Sequence, residues 1–231
     1  MSAPDRTLFI AAARRMVREQ LEGRGIGDPR VLEAMAATPR EAFAAGTDGL
    51  DPSRAYADTA LPVDRGQTLS QPYMVAAMTE ALAPMPGSRV LEIGTGTGYQ
   101  TAVLAKVSGH IWTIERDPVL AREATTRLAE MGVENVDFRV GDGTLGWPEA
   151  APFEGILVTA AAPSIPDPLL TQLAVGGRMI IPVGSREVQE LLLVEKNEEG
   201  IESRALMECR FVPLVGEEGW RPDGGRTPPA Q

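Results

Sequence analysis

The stretch Arg89-Val-Leu-Glu-Ile-Gly-Thr-Gly-Thr-Gly-Tyr99 decides the fold. Val90, Leu91 and Ile93 make a short apolar run of the buried, parallel-strand type. It ends in Gly94, Gly96 and Gly98, and Tyr99 to Val107 reads as a small helix. Glycine there lets the chain turn sharply and lets a ligand approach the main chain. Working outward, His110 to Glu115 is a second strand. Asp117-Pro118 then opens a helix that ends near Gly132, with a capping carboxylate and a proline in the first turn. Val136 to Val140, Phe153 to Thr159 and Arg178 to Val183 read as three further strands, and Asp167-Pro168 caps a helix before the last. This alternation predicts a doubly wound α/β sheet. Leu191 to Glu195 and Ala205 to Leu214 pair around Asn197-Glu-Glu-Gly200 with no helix between them, which predicts a C-terminal antiparallel hairpin on a mostly parallel sheet.

Before residue 86 the texture is helical. Phe9, Ala13, Met16, Val17 and Leu21 recur at helical spacing, and Asp28-Pro29 is a helix start. Thr38-Pro-Arg-Glu41 has the spacing of a capping box, and a further helix is expected from about Gln71 to Leu82. The loop from Gly46 to Leu69 has a length that inside a compact domain marks function or disorder. The expected organisation is a helical region over 1–85, an α/β domain over 86–215, and a disordered tail over 216–231 that is rich in Pro and Gly toward its end.

The 231 residues carry 22 Lys plus Arg against 32 Asp plus Glu, a formal charge of -10 that argues against nucleic acid as a partner. One cysteine, Cys209, and one histidine, His110, rule out an internal disulfide and Cys/His zinc sites. No apolar run approaches a spanning helix and no signal sequence precedes the first helix, so a cytoplasmic protein without membrane contact is expected.

Ligands of doubly wound sheets sit at the carboxyl ends of the strands, where the strand order reverses. Glu115 closes the second strand about 20 residues beyond the glycines, the place from which a carboxylate accepts hydrogen bonds from ribose hydroxyls. The third glycine of the dinucleotide fingerprint would fall at position 99, which is Tyr99. Without it the pyrophosphate site is weakened, and an NAD-dependent oxidoreductase is disfavoured relative to an adenosine ligand without a diphosphate.

Val90 to Tyr99 resembles motif I of class I S-adenosylmethionine (SAM) methyltransferases, and more narrowly the protein-L-isoaspartate O-methyltransferase family. Val31-Leu-Glu-Ala-Met35, Pro39-Arg-Glu41, Ala55-Tyr-Ala-Asp58, Thr68-Leu-Ser-Gln-Pro-Tyr-Met74, Gly141-Asp-Gly143, Gly176-Gly-Arg-Met179 and Pro182-Val-Gly184 read like the same family, from about Met16 to Leu214. The resemblance implies a Rossmann-like sheet of seven strands. It implies SAM as cofactor, with S-adenosylhomocysteine as product. Glu92 and the turn Gly94, Thr95, Gly96 and Gly98 would face its amino-acid part, and Glu115 with Arg116 the ribose. Asp142 and Gly143 would meet the adenine, and Thr68, Leu69 and Gln71 would complete the cofactor set. The implied partners are isoaspartyl peptides and proteins, met by a monomer. A SAM-dependent O-methyltransferase of another carboxylate, in a peptide or small acid, would keep the same motifs. A non-catalytic nucleotide-binding module is the reading from another class.

The implied reaction methylates the free α-carboxylate of an L-isoaspartyl residue, and the ester then closes to a succinimide. That carboxylate, with an ordinary pKa of about 3.3–3.7, is already ionised at neutral pH and needs no general base. Alignment and desolvation are what remain for the protein. Ser70 is the expected catalytic contact, a hydroxyl that donates to the carboxylate. The competing reading makes it the N-cap of the helix that follows. Tyr56 and Asp58 are placed near substrate by resemblance alone, and Val212 to Val215 are expected to close over the site. His110, Cys209, Trp112 and Trp147 are read as edge or packing residues, and Glu217-Glu218 as solvent-facing.

Overall fold

The computed structural model describes residues 6–44, 50–63 and 68–221. Parts of the loop between Gly46 and Leu69, and the tail beyond Arg221, lie outside them. The helices are α1 (Arg6–Met16), α2 (Pro29–Ala37), α3 (Pro52–Ala55), α4 (Pro72–Leu82), α5 (Tyr99–Val107), α6 (Pro118–Glu130) and α7 (Asp167–Gln172). The main sheet holds β1 (Arg89–Ile93), β2 (His110–Glu115), β3 (Val136–Val140), β4 (Phe153–Val158), β5 (Leu173–Gly184), β6 (Gln189–Asn197) and β7 (Gly200–Cys209). Their order is β3-β2-β1-β4-β5-β6-β7. The first five are parallel, β6 runs antiparallel to β5, and β7 antiparallel to β6. The doubly wound sheet with its antiparallel end is therefore as expected. Asn197 Oδ1 accepts from the Glu199 and Gly200 amides and turns the last hairpin.

Alternation along the strands sorts the core onto the two faces of the sheet. Val90, Ile111, Leu157 and Ile180 are buried with Met78 and Leu82 of α4 and Leu104 of α5. Leu91, Ile93, Ile114 and Ile156 are buried with Leu169 of α7. The N-terminal helices join this frame through one apolar cluster, in which Phe9, Met16, Met35 and Phe43 pack with Val75, Tyr99 and Val103. α4 is apolar on nearly every side, as a helix between two layers must be.

Several local expectations need correction. The capping box at Thr38 does not form. Thr38 donates back to the Ala34 carbonyl, Glu41 accepts from the Tyr56 hydroxyl, and Arg40–Phe43 is one 3-10 turn. Asp167 is the first residue of α7 and does not cap it. The strand expected to run to Leu214 stops at Cys209. Beyond it the chain crosses the carboxyl end of the sheet, held where Ala161 N donates to Val212 O and Leu214 N donates to Ala161 O, both at 2.8 Å. Residues 216–221 belong to the folded body and not to a disordered tail. Trp220, 8% exposed, donates from Nε1 to the Ala161 carbonyl, and its main chain closes a turn on Leu214 and Gly216.

Candidate active site

β1 is the strand at which the order reverses, and a cavity of about 930 Å³ opens at its carboxyl end. That is near the upper limit of ordinary ligand sites, roughly 300–1,000 Å³, and leaves room for more than one small ligand. Its floor is Ile93 to Thr97, Ile114 to Arg116, Gly143 and Thr159–Ala160. Its opposite wall is Thr68 to Gln71 with Met74, Val75 and Met78 of α4, and the crossing segment Cys209 to Val215.

The floor is fixed by its own hydrogen bonds. Gly94 has φ +93° and leaves no room for a side chain: a Cβ would lie 2.3 Å from Thr159 Oγ1, which itself donates to the Ile93 and Gly94 carbonyls. A Cβ on Gly96 would meet no protein atom within 4 Å. Glu115 is 8% exposed. Its Oε2 accepts from Gly96 N at 2.8 Å and its Oε1 from Asp117 N at 2.9 Å. Two main-chain donors thus aim the carboxylate, and lone pairs remain for a diol. These observations fit the adenosine and ribose of SAM, with Thr95, Gly96, Glu115, Arg116 and Gly143 along the wall that would hold it.

Three residues expected to touch the cofactor do not line the cavity. Glu92 is fully buried beneath the glycine turn. Its Oε2 accepts from Thr101 and Thr113 hydroxyls at 2.6 Å each, and its Oε1 has no partner among the described residues. Burial pushes its pKa up to about 7, against the opposing effect of the two hydroxyls. Thr113 spends its proton on Glu92, so the 2.6 Å contact between Thr95 and Thr113 hydroxyls takes its proton from Thr95. Gly98, at φ +89°, is the N-cap of α5, and its lack of a side chain lets α6 approach: a Cβ would lie 3.1 Å from Leu128 Cδ1. Asp142 accepts from Thr144 N and Oγ1 through Oδ1, and from Glu217 N at 2.7 Å through Oδ2. Its carboxylate anchors the C-terminal turn, and the main chain of Gly143 is what reaches the cavity. The side chain of Glu217 is exposed as expected, but its amide is part of that anchor.

On the opposite wall Ser70 has the free hydroxyl. The N-cap of α4 is Gln71, with no side-chain cap bond, and Ser70 makes no hydrogen bond to a described residue. The capping role that rivalled the site role is thus excluded. Thr68–Leu69 pairs with Leu61–Pro62 in a short antiparallel ribbon. The Leu69 carbonyl accepts from Arg40 Nη2 at 3.4 Å. Arg40 is wholly buried, donates from Nε to the Ala55 carbonyl, and lies 5.0 Å from the Tyr99 ring centroid. Its pKa is lowered by burial. A buried cation from the N-terminal segment therefore pins the strand that leads into Ser70. Tyr56 and Asp58 serve this scaffold and do not line the cavity: Tyr56 donates to Glu41, while Asp58 accepts from Tyr73 N and pairs with Arg24.

His110 begins β2 at the far end of the sheet. It contacts Asp137 at 3.0 Å and lies tilted against Trp112. Trp112 and Trp147 pack as expected, each under a guanidinium, of Arg89 and Arg139. Cys209 does line the cavity, half-buried, and burial pushes its thiol pKa up to about 11, so it is a neutral thiol at physiological pH. The sequence reading missed Met74, Val75, Met78, Arg186, Arg210 and Phe211 as cavity residues. The all-round apolar pattern of α4 is a signal that would have found the first three.

A cleft at the reversal point of a Rossmann-like sheet, with a glycine turn open to a ligand, is the architecture of a class I SAM-dependent methyltransferase. The family model for protein-L-isoaspartate(D-aspartate) O-methyltransferase matches residues 12–219. The chain belongs to that family. It is 54% identical to a Magnetococcus marinus protein-L-isoaspartate O-methyltransferase over 201 residues, 87% of each chain. It is 51% identical to that of Methanoregula boonei, over 90% of this chain and 94% of the relative. A solved protein-L-isoaspartate O-methyltransferase superposes with a TM-score of 0.81 at 32% identity, covering 89% of this chain and 67% of its own. A Plasmodium falciparum protein described by the same activity, solved with S-adenosylhomocysteine, gives 0.75 at 26% identity, over 88% and 98%.

Proposed function

We propose that the cleft aligns the methyl group of SAM with the free α-carboxylate of an L-isoaspartyl residue held by Ser70. Protein-L-isoaspartate O-methylation is the activity of the family, and the chain is a SAM-dependent carboxyl O-methyltransferase of it. When bound, SAM supplies a methyl group on a sulfonium, which departs as a neutral thioether as the carboxylate oxygen takes the methyl. The chain's own work is to position and to desolvate. Glu115 and the Gly94–Gly96 main chain hold the donor in register, and Asp142 keeps Gly143 in place beneath it. Ser70 donates one hydrogen bond to the carboxylate. Met74, Val75 and Met78 keep its surroundings weakly polar. A weakly polar site favours a transition state in which two opposite charges merge over the separated ions. The lone histidine at the opposite end of the sheet fits a reaction in which no proton moves.

The observation that carries this reading is the Ser70 hydroxyl, without a partner among the described residues, on the cavity wall with the preset Glu115 carboxylate. Two peptides of one sequence, with isoaspartate or aspartate at one position, test it. Methyl transfer to the isoaspartyl form alone is expected. Equal transfer to both, or to neither while small carboxylic acids are methylated, would overturn it.

A further inference from the structure

The segments at the antiparallel end of the sheet bring two cations to the cavity. Arg186 sits on the turn between β5 and β6, and Arg210 follows β7. Both are exposed and both line the cavity. Arg210 makes no hydrogen bond or ion pair to a described residue, while Arg186 lies over the Trp220 ring, 4.8 Å from its centroid, and donates one long bond of 3.5 Å from Nη2 to the Arg221 carbonyl. Their segments are tied together by one buried side chain. Gln189, 1% exposed, donates from Nε2 to the Ser185 carbonyl and accepts at Oε1 from Phe211 N at 2.9 Å. Ser185 Oγ accepts from Glu187 N and Val188 N and stiffens the Arg186 turn, and the Val212 carbonyl holds the Arg210 segment to Ala161. The arginines are thus mounted on two braced segments. The facing acids on these elements are Glu187, Glu190 and Glu208, of which Glu208 lines the cavity, and none forms an ion pair with either arginine.

The reaction limits what these cations can do. A guanidinium against the reacting carboxylate would stabilise the anion that methyl transfer neutralises, and so would slow turnover. Against a neighbouring carboxylate, whose charge survives the reaction, it strengthens ground and transition states alike. We propose that Arg186 and Arg210, braced through Gln189, form an acid-reading subsite that selects isoaspartyl segments with an acidic residue beside the damaged one. The proposal rests on the isoaspartyl reading of the site. It gives a chain of formal charge -10 a local means of admitting acidic protein segments that the rest of its surface repels.

Three isoaspartyl peptides that differ only in Glu, Gln or Lys beside the isoaspartate test it. Wild type is expected to rank them Glu, Gln, Lys in kcat/KM, with Glu about fivefold over Gln and the difference carried by KM. Half-molar salt should erase most of the ranking. In the double variant Arg186→Gln, Arg210→Gln the Glu peptide should fall to the level of the Gln peptide, which itself shifts less than about twofold. The Arg186→Lys, Arg210→Lys variant should keep the ranking. A wild-type enzyme indifferent to the neighbour, or a ranking that survives the double Gln variant, overturns the proposal while methylation of the Gln peptide still stands. Calorimetric binding of the same peptides reads the ranking without turnover, so failure of the isoaspartyl reading shows separately.

Discussion

The two walls of the cavity are built in opposite ways. On the floor three of the polar side chains are already paired, Glu115 with Gly96 N and Asp117 N, Thr159 with two carbonyls, and Thr95 with Thr113, while the exposed Arg116 has no partner among the described residues. On the opposite wall Ser70 and Arg210 have no described partner. In the proposed function the floor meets one ligand of fixed shape, and pairing beforehand removes the cost of arranging those groups on binding. The other wall meets peptides of many sequences, and unpaired groups there take their partners from whatever arrives. One wall is built for a constant ligand and the other for a varied one.

The largest expected effect breaks the floor. Glu115→Ala deletes the ribose acceptor and frees the Gly96 amide, and should weaken S-adenosylhomocysteine binding about a hundredfold or more in calorimetry. Ser70→Ala breaks the opposite wall. It should lower kcat roughly ten- to a hundredfold at saturating substrate, leave S-adenosylhomocysteine affinity within about twofold, and leave stability within about 0.5 kcal/mol, because Ser70 caps nothing. Unchanged turnover would remove Ser70 from the mechanism.

Glu92, beneath the floor, sharpens the comparison through pH. Its folded-state pKa of about 7 lies above the ordinary 4.5, so the folded protein holds the extra proton between those values. The resulting stability is full below about pH 4.5 and is lost as pH rises through 7, on the order of 3 kcal/mol in all. Glu92→Gln should flatten that slope in chemical denaturation at pH 5 and pH 8. A steeper slope in the variant would contradict the burial argument. Gly98→Ala should have the smallest effect. Forcing a side chain into the left-handed region and against Leu128 costs about 1–2 kcal/mol in unfolding, with cofactor affinity unchanged because Gly98 is not on the wall.

What was legible in the sequence followed from local rules. Alternation of strands and helices, the proline-marked starts at Asp28 and Asp117, and the Asn197 turn all concern residues close in the chain, and all appear where expected. Gly94 and Gly96 of the glycine turn, Glu115 and Ser70, singled out by spacing and by resemblance, all line the cavity. The errors concern partners far apart in sequence. Asp142 reads as a cavity residue, but the cavity is lined by Gly143 instead, and Glu217, 75 positions on, bonds an Asp142 oxygen. Thr38 and Glu41 have the spacing of a cap, but Tyr56, which bonds Glu41, decides otherwise. Glu92 sits in the motif one residue too deep in the sheet to reach the surface. Gln189 has no sequence signal, because its use depends on Phe211, 22 positions on.

The central claim is that the reaction needs no proton acceptor, only two aligned and desolvated charges. The direct test is kcat against pH from 6 to 9, with SAM and an isoaspartyl peptide both saturating. A flat profile is predicted, since the substrate carboxylate is ionised throughout, Cys209 titrates above the range, and Glu92, which titrates near 7, lies beneath the floor and off the cavity wall. A kcat that falls tenfold per pH unit below a midpoint near 7 would show an essential base and contradict the account.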